Sequence, residues 1–287
     1  MRDKEMRLSK LQLFLKFIKA DKRCLPQFKE EQKRKGIPVG ELDFPLLRYT
    51  FSLNDRLRML TILRNDIHNL NKEAIEEMKR TQEKGYGTNE KDLILTVYYE
   101  SFLNQIYNIM ENLAKINLFM FDANINPKHG FSDQMKKIKE GILEFHPDYD
   151  KLIKEEMDWY MEVHRIRSNT NHYMVGMNVF GRTEDEEWIP QYMNFNISER
   201  FSDNDFKIER NILSDTEFFY NSTIKTLNQI SEIYIERMDE EKPCAVTFIG
   251  TDEIEFREIS YNQFIAGEKG KSIQKFQLGG NELNSKG

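Results

Sequence analysis

Ten residues, His164-Arg165-Ile166-Arg167-Ser168-Asn169-Thr170-Asn171-His172-Tyr173, set two of the chain's five histidines beside two arginines. Side chains of these types can cleave a phosphodiester in RNA without a metal. A neutral imidazole can take the proton of a 2′-hydroxyl near pH 7, because its reference pKa lies close by. A guanidinium stays charged and can grip two phosphate oxygens, stabilising the charge that builds as the 2′-oxygen attacks. The same residues also fit a plainer assignment: a helix C-terminus with cations facing the dipole and a histidine packed in the core.

A helix must position them. From Asp150 onward, Ile153, Met157, Tyr160, His164 and Arg167 recur at steps of three and four, and Leu152, Trp159, Val163 and Ile166 widen the apolar side. The spacing predicts a helix whose buried face turns cationic in its last turn. Ser168 to Asn171 are weak helix formers whose side chains compete for backbone hydrogen bonds. The helix is therefore expected to break there, with His172 opening the next segment. On an unbroken helix Arg167 and His172 would stand about 140° apart, while Arg165 and His172 would nearly share a face. A break joins Arg167 to His172; continuity joins Arg165 to it.

The stretch resembles the signature of HEPN domains, an arginine followed after four to six residues by a histidine. Arg167 and His172 enclose four residues, and Arg165 and His172 enclose six. The family often has Asn, Asp or His after its arginine; Ser168 differs, which leaves the register open. The resemblance runs from about Glu90 to about Met238. It implies a metal-independent endoribonuclease, without cofactor, whose homodimer joins two motifs into one composite site. His172 would be general base or acid and Arg167 would hold the scissile phosphate, with Arg165 as the alternative ligand. Asn171 and His164 would orient the imidazole and the guanidinium. RNA is then the implied partner, defence or growth arrest the implied setting, with a toxin or abortive-infection role and an antitoxin or other regulatory partner. Two other readings stand beside it: a non-catalytic HEPN module that binds nucleotide or RNA, and an all-α interaction protein.

A shorter echo lies at Arg64-Asn65-Asp66-Ile67-His68, with three residues between Arg64 and His68. At i, i+4 the two share a helical face. They read as a surface or interface pair, and as the second-choice site. His129 and His146 lie by turns and read as surface residues.

Bulk properties narrow the classes. With 39% hydrophobic and 31% charged residues, the chain can build a core and keep a solvated surface. No apolar run is long enough to span a bilayer. Met1 to Glu5 are charged with no unbroken apolar region after them, so no secretory signal is expected. Cys24 and Cys244 lack a pairing pattern and fit a reducing cytoplasm. Residues 1–40 hold twelve Lys/Arg against five Asp/Glu, whereas the rest holds thirty against forty-three. A basic arm on an acidic body suits nucleic acid, an acidic surface of a partner copy, or a solvated face. No Gly-rich phosphate loop, His-Glu-x-x-His, cysteine pair or serine elbow occurs, and no metal site is expected.

The expected fold is all-α: an antiparallel helical bundle with an additional N-terminal helical region and small β additions. Residues 1–88 form the N-terminal region, 89–240 the bundle with the site, 241–266 a short β segment, and 267–287 a disordered tail. Within these, Phe44 to Phe51 reads as extended, and Asn54 to Lys79 as a helix with a Leu60, Leu63, Ile67, Ala74, Met78 stripe. Glu90 to Phe121 reads as a long helix along Ile94, Tyr98, Phe102, Ile106, Ile109 and Leu113, Ser132 to Phe145 as a short one, and Asp215 to Met238 as the last. Met174 to Phe180 and Tyr192 to Phe201 read as a hairpin, and Ala245 to Ile249 and Ile254 to Ile259 as two strands.

Overall fold

The computed structural model describes residues 43–83, 90–121, 130–172, 176–182, 187–193, 210–241, 244–249, 253–259, 263 and 266–277. The basic arm, the linker expected at Lys84 to Asn89 and His129 lie outside them. Most of the described chain is helical: α1 (Asp43–Glu83), α2 (Glu90–Met120), α3 (Phe131–Lys139), α4 (Pro147–Glu156), α5 (Asp158–His172) and α6 (Ile212–Glu241). Six strands, β1 (Met177–Arg182), β2 (Trp188–Met193), β3 (Arg210–Asn211), β4 (Cys244–Ile249), β5 (Glu253–Ile259) and β6 (Lys271–Gln277), make two antiparallel sheets ordered β1-β2-β3 and β4-β5-β6. Among the described residues, no helix is long and apolar enough to cross a membrane.

The chain divides into two compact units. One gathers the described residues of Asp55–Ala114 and Ile125–Thr226. Its core takes Leu57, Leu60 and Ile67 from α1, Phe102, Ile106, Ile109 and Leu113 from α2, Phe131 and Met135 from α3, Tyr160, Val163 and Ile166 from α5, and Phe219 from α6. Each such side chain contributes about 1.5–3 kcal/mol on leaving water. Arg56 reaches Gln105 at 3.0 Å and Glu73 meets Lys91, so α1 runs antiparallel to α2. Thr61 meets Tyr220 and His68 meets Glu217, so α1 runs antiparallel to α6 as well. The other unit holds the described residues of Met1–Asn54, Lys115–Asn124 and Leu227–Gly287. Within it Tyr234 donates to Asn117 Oδ1 and its ring lies 5.5 Å from Phe121.

Several expectations are corrected. Phe44 to Phe51 are helical, opening α1; Pro45 is tolerated there because first-turn N–H groups have no intrahelical partner. The proposed boundary near residue 88 does not separate units, since Asp55–Ala114 fall in one. On α2 the first turns bury Leu95 and Tyr99, leaving Ile94 exposed, a rotation of one residue from the expected stripe. The run from Asp150 to Arg167 is two helices that part at Met157, where φ is −104° and ψ 12°. Met157 is fully buried and its sulfur accepts the Thr226 hydroxyl at 3.6 Å. The tail expected to be disordered from 267 contains β6, paired with β5 across a bulge that skips Ile273. Gly267 (φ 74°) and Gly270 (φ 60°) supply the left-handed backbone before it.

Candidate functional site

The helix does not break at Ser168. α5 runs unbroken from Asp158 to His172, which corrects the expected interruption. Thr170 returns its hydroxyl to the carbonyls of Arg167 (2.9 Å) and Ile166 (3.3 Å), and Asn169 is buried. Burial of Ile166 and Asn169 thus overrides the weak propensity of the four polar residues. On this backbone Arg165 and His172 share a face and Arg167 stands about 140° from His172. The side chains of Asn171 and His172 lie outside the described residues.

On the inward face, Arg167 lays its guanidinium over the Tyr107 ring, with Cζ 4.1 Å from the centroid. His164 lies 5.8 Å from the same ring and edge-on to Tyr160 at 6.3 Å. Glu111, one turn beyond Tyr107 on α2, accepts the Phe131 N–H on Oε1 at 3.0 Å. That amide opens α3, whose N-cap position is Gly130; the glutamate supplies the acceptor that glycine lacks. A β-carbon on Gly130 would come within 2.8 Å of the Glu111 oxygens. Burial, and then the Arg167 charge, lower the His164 pKa against the opposing pull of Glu111 and Asp133, so its imidazole is neutral at pH 7.

On the other face, Arg165 is held by Glu162 through two bonds of 2.9 and 2.7 Å. Glu162 Oε1 also accepts from Arg210 Nη1 at 2.5 Å. Arg210 is itself clasped by Asp215, to which Tyr99 donates at 2.8 Å. The Arg165 hydrogen bonds hold the Glu162 carboxyl below its usual range, burial opposing and Arg210 assisting. The Arg165 side chain remains 40% exposed. Asn169, one turn beyond Arg165, buries an amide nitrogen that donates to no described protein group.

Beside this helix, Tyr192 donates to Glu100 at 2.7 Å, Gly176 N–H meets the same oxygen at 2.8 Å, and the Tyr192 ring lies 4.9 Å from Tyr99. A hairpin is present as β1–β2, but its second strand begins at Trp188 and shares only Tyr192 and Met193 with the expected arm, whose remainder lies outside the described residues. His146 is the N-cap of α4 and is partly exposed.

The structure therefore unites His164 with Arg167 and leaves Arg167 off the face of His172. Arg64 and His68 also come together, on Glu217. Sequence reasoning missed Tyr107, Glu111, Glu162, Asn169, Arg210 and Glu217; the local signals were a tyrosine and a glutamate at i, i+4 on α2 and Glu162 three residues before Arg165. Among the described residues no group of three His, Cys, Asp or Glu side chains is arranged to hold a metal. Neither protein-family models, characterised proteins nor solved structures return a match to this chain.

Proposed function

We propose that the chain is a metal-independent endoribonuclease of the HEPN kind, acting as a homodimer in defence or growth arrest. One observation carries the reading: on the unbroken backbone of α5, positions 165 and 172 fall on one face seven residues apart, and the Arg165 side chain is exposed. In this reading Arg165 grips the scissile phosphate and Arg167, fixed on Tyr107, sets the inward face of the helix. His172 removes the 2′-hydroxyl proton; the 2′-oxygen attacks phosphorus and the bond to the 5′-oxygen breaks. A second His172, from the partner copy, protonates that leaving oxygen. Products are a 2′,3′-cyclic phosphate and a 5′-hydroxyl.

The test is end-group analysis of single-stranded RNA and tRNA fragments formed in EDTA. Cyclic phosphate and 5′-hydroxyl ends support the reading, whereas 5′-phosphate ends or loss of cleavage in EDTA overturn it. A second reading, a nucleotide- or RNA-binding module, is favoured by the intramolecular engagement of Arg165 by Glu162. Binding that persists in a His172→Ala protein, with no cleavage by either protein, selects it.

A further inference from the structure

The pair Arg64 and His68 is not part of the α5 site, yet it is built more closely than an exposed ion pair needs. Both aim at one oxygen: Arg64 Nε lies 2.6 Å and His68 Nε2 2.8 Å from Glu217 Oε1. Glu217 is the α6 residue that faces them, and Tyr220, one turn on, lies under the guanidinium with its ring centre 4.8 Å from Cζ. Thr61 gives its hydroxyl proton to Leu57 O at 3.0 Å, so the Tyr220 hydroxyl donates to Thr61 Oγ1 at 3.2 Å. The aromatic plane, and with it the guanidinium, is thereby fixed.

This arrangement leaves recognition groups unspent. The carboxylate takes the Arg64 Nε–H and stacking takes one guanidinium face, while the two Nη groups donate to no described protein atom. His68 is held through Nε2, which makes Nε2–H the donor and leaves Nδ1 without a partner among the described residues. Side-chain exposures of 24% for Arg64 and 37% for His68 keep both within reach of solvent. Along the same α1 face, Asn71 is nine-tenths buried and its Oδ1 accepts nothing from the described protein. On α6, the fully buried Thr216 hydroxyl beside Glu217 is likewise unmatched. Exposed ion pairs contribute little, so an arginine and a histidine on one oxygen are a poor device for stability alone.

We propose that Arg64, oriented by Glu217 and Tyr220, forms a second site that binds a phosphate oxyanion through its Nη fork, with the His68 ring at its edge. A planar fork with two parallel N–H groups matches two phosphate oxygens. The phosphate belongs either to a free phosphomonoester or to a phosphodiester strand.

Imidazole ¹H–¹⁵N spectra of the full chain test this without reference to cleavage, so failure of the ribonuclease reading leaves the test intact. Inorganic phosphate and 5′-AMP are titrated in one arm, and an oligonucleotide lacking terminal phosphates in the other, at matched ionic strength. The His68 signals are expected to shift saturably in at least one arm, the tighter arm naming the source. Arg64→Lys, which keeps the charge, should weaken the response about tenfold, one bidentate contact to a charged group. Arg64→Ala should abolish it, with the His164 signals as the check that the fold is intact. No His68 shift in either arm, or an equal response in Arg64→Lys and wild type, overturns the proposal.

Discussion

Burial and the Arg167 charge depress the His164 pKa below its unfolded value, and that fixes the sign of a pH effect. Between the depressed folded value and about 6.5 the unfolded chain binds the proton more readily than the native one. The His164 contribution is therefore complete above about pH 6.5 and is lost as the pH falls. Urea unfolding at pH 7.5 and 5.5 should show a smaller acid loss in His164→Gln than in wild type; an equal loss would remove His164 as its source. Asp92 has the opposite sign, since burial lifts its carboxyl to about 6 against the Asn178 hydrogen bond. Its penalty is absent below about pH 4, grows with rising pH and is complete above about 6. Asp92→Asn should accordingly raise Tm at pH 7.5 and leave it unchanged at pH 3.5. At Gly176 the limit is steric: an added β-carbon would fall 2.2 Å from the buried Tyr192 ring. Gly176→Ala should cost about 1–3 kcal/mol, read from the urea midpoint.

At the scale of elements, continuity of α5 is the finding on which the choice of arginine turns. Proline inside a helix removes a hydrogen bond and clashes with the preceding turn, at about 3 kcal/mol or more. Ser168→Pro should destabilise the protein by that amount, whereas a chain broken at Ser168 would accept it. Much of the helical pattern was legible because it rests on neighbours three and four residues away: α2 lies within a residue of its expected span, and Tyr160, His164 and Arg167 do share a face. Met157 was not legible as a break, because its burial depends on Thr226, far along the chain. Nor was the persistence of helix through Ser168 to His172, where burial of Asn169 outweighs local preference. The candidate site followed the same division. Its arginines and histidines stood out by type and spacing, but Tyr107 and Glu111 gain their roles only once α3 brings a free backbone N–H against α2. Glu217 lies 149 positions from His68, and no local pattern links them.

At the scale of the whole molecule, the proposed reaction needs a second copy, because one α5 supplies one His172. Specific activity should therefore fall on dilution as sedimentation shows the dimer dissociating. Constant activity from a species of monomer mass would oppose a composite site. The most direct measurement is cleavage of labelled RNA in EDTA by wild type and by Arg165→Ala, Arg167→Ala and His172→Ala, each with its unfolding curve. The expected result is cleavage by wild type, lost in Arg165→Ala and His172→Ala without a stability change beyond about 1 kcal/mol. Arg167→Ala should lose about 0.5–2 kcal/mol of stability with its cation–π contact and keep some cleavage. Full cleavage by Arg165→Ala or His172→Ala would contradict the proposed site.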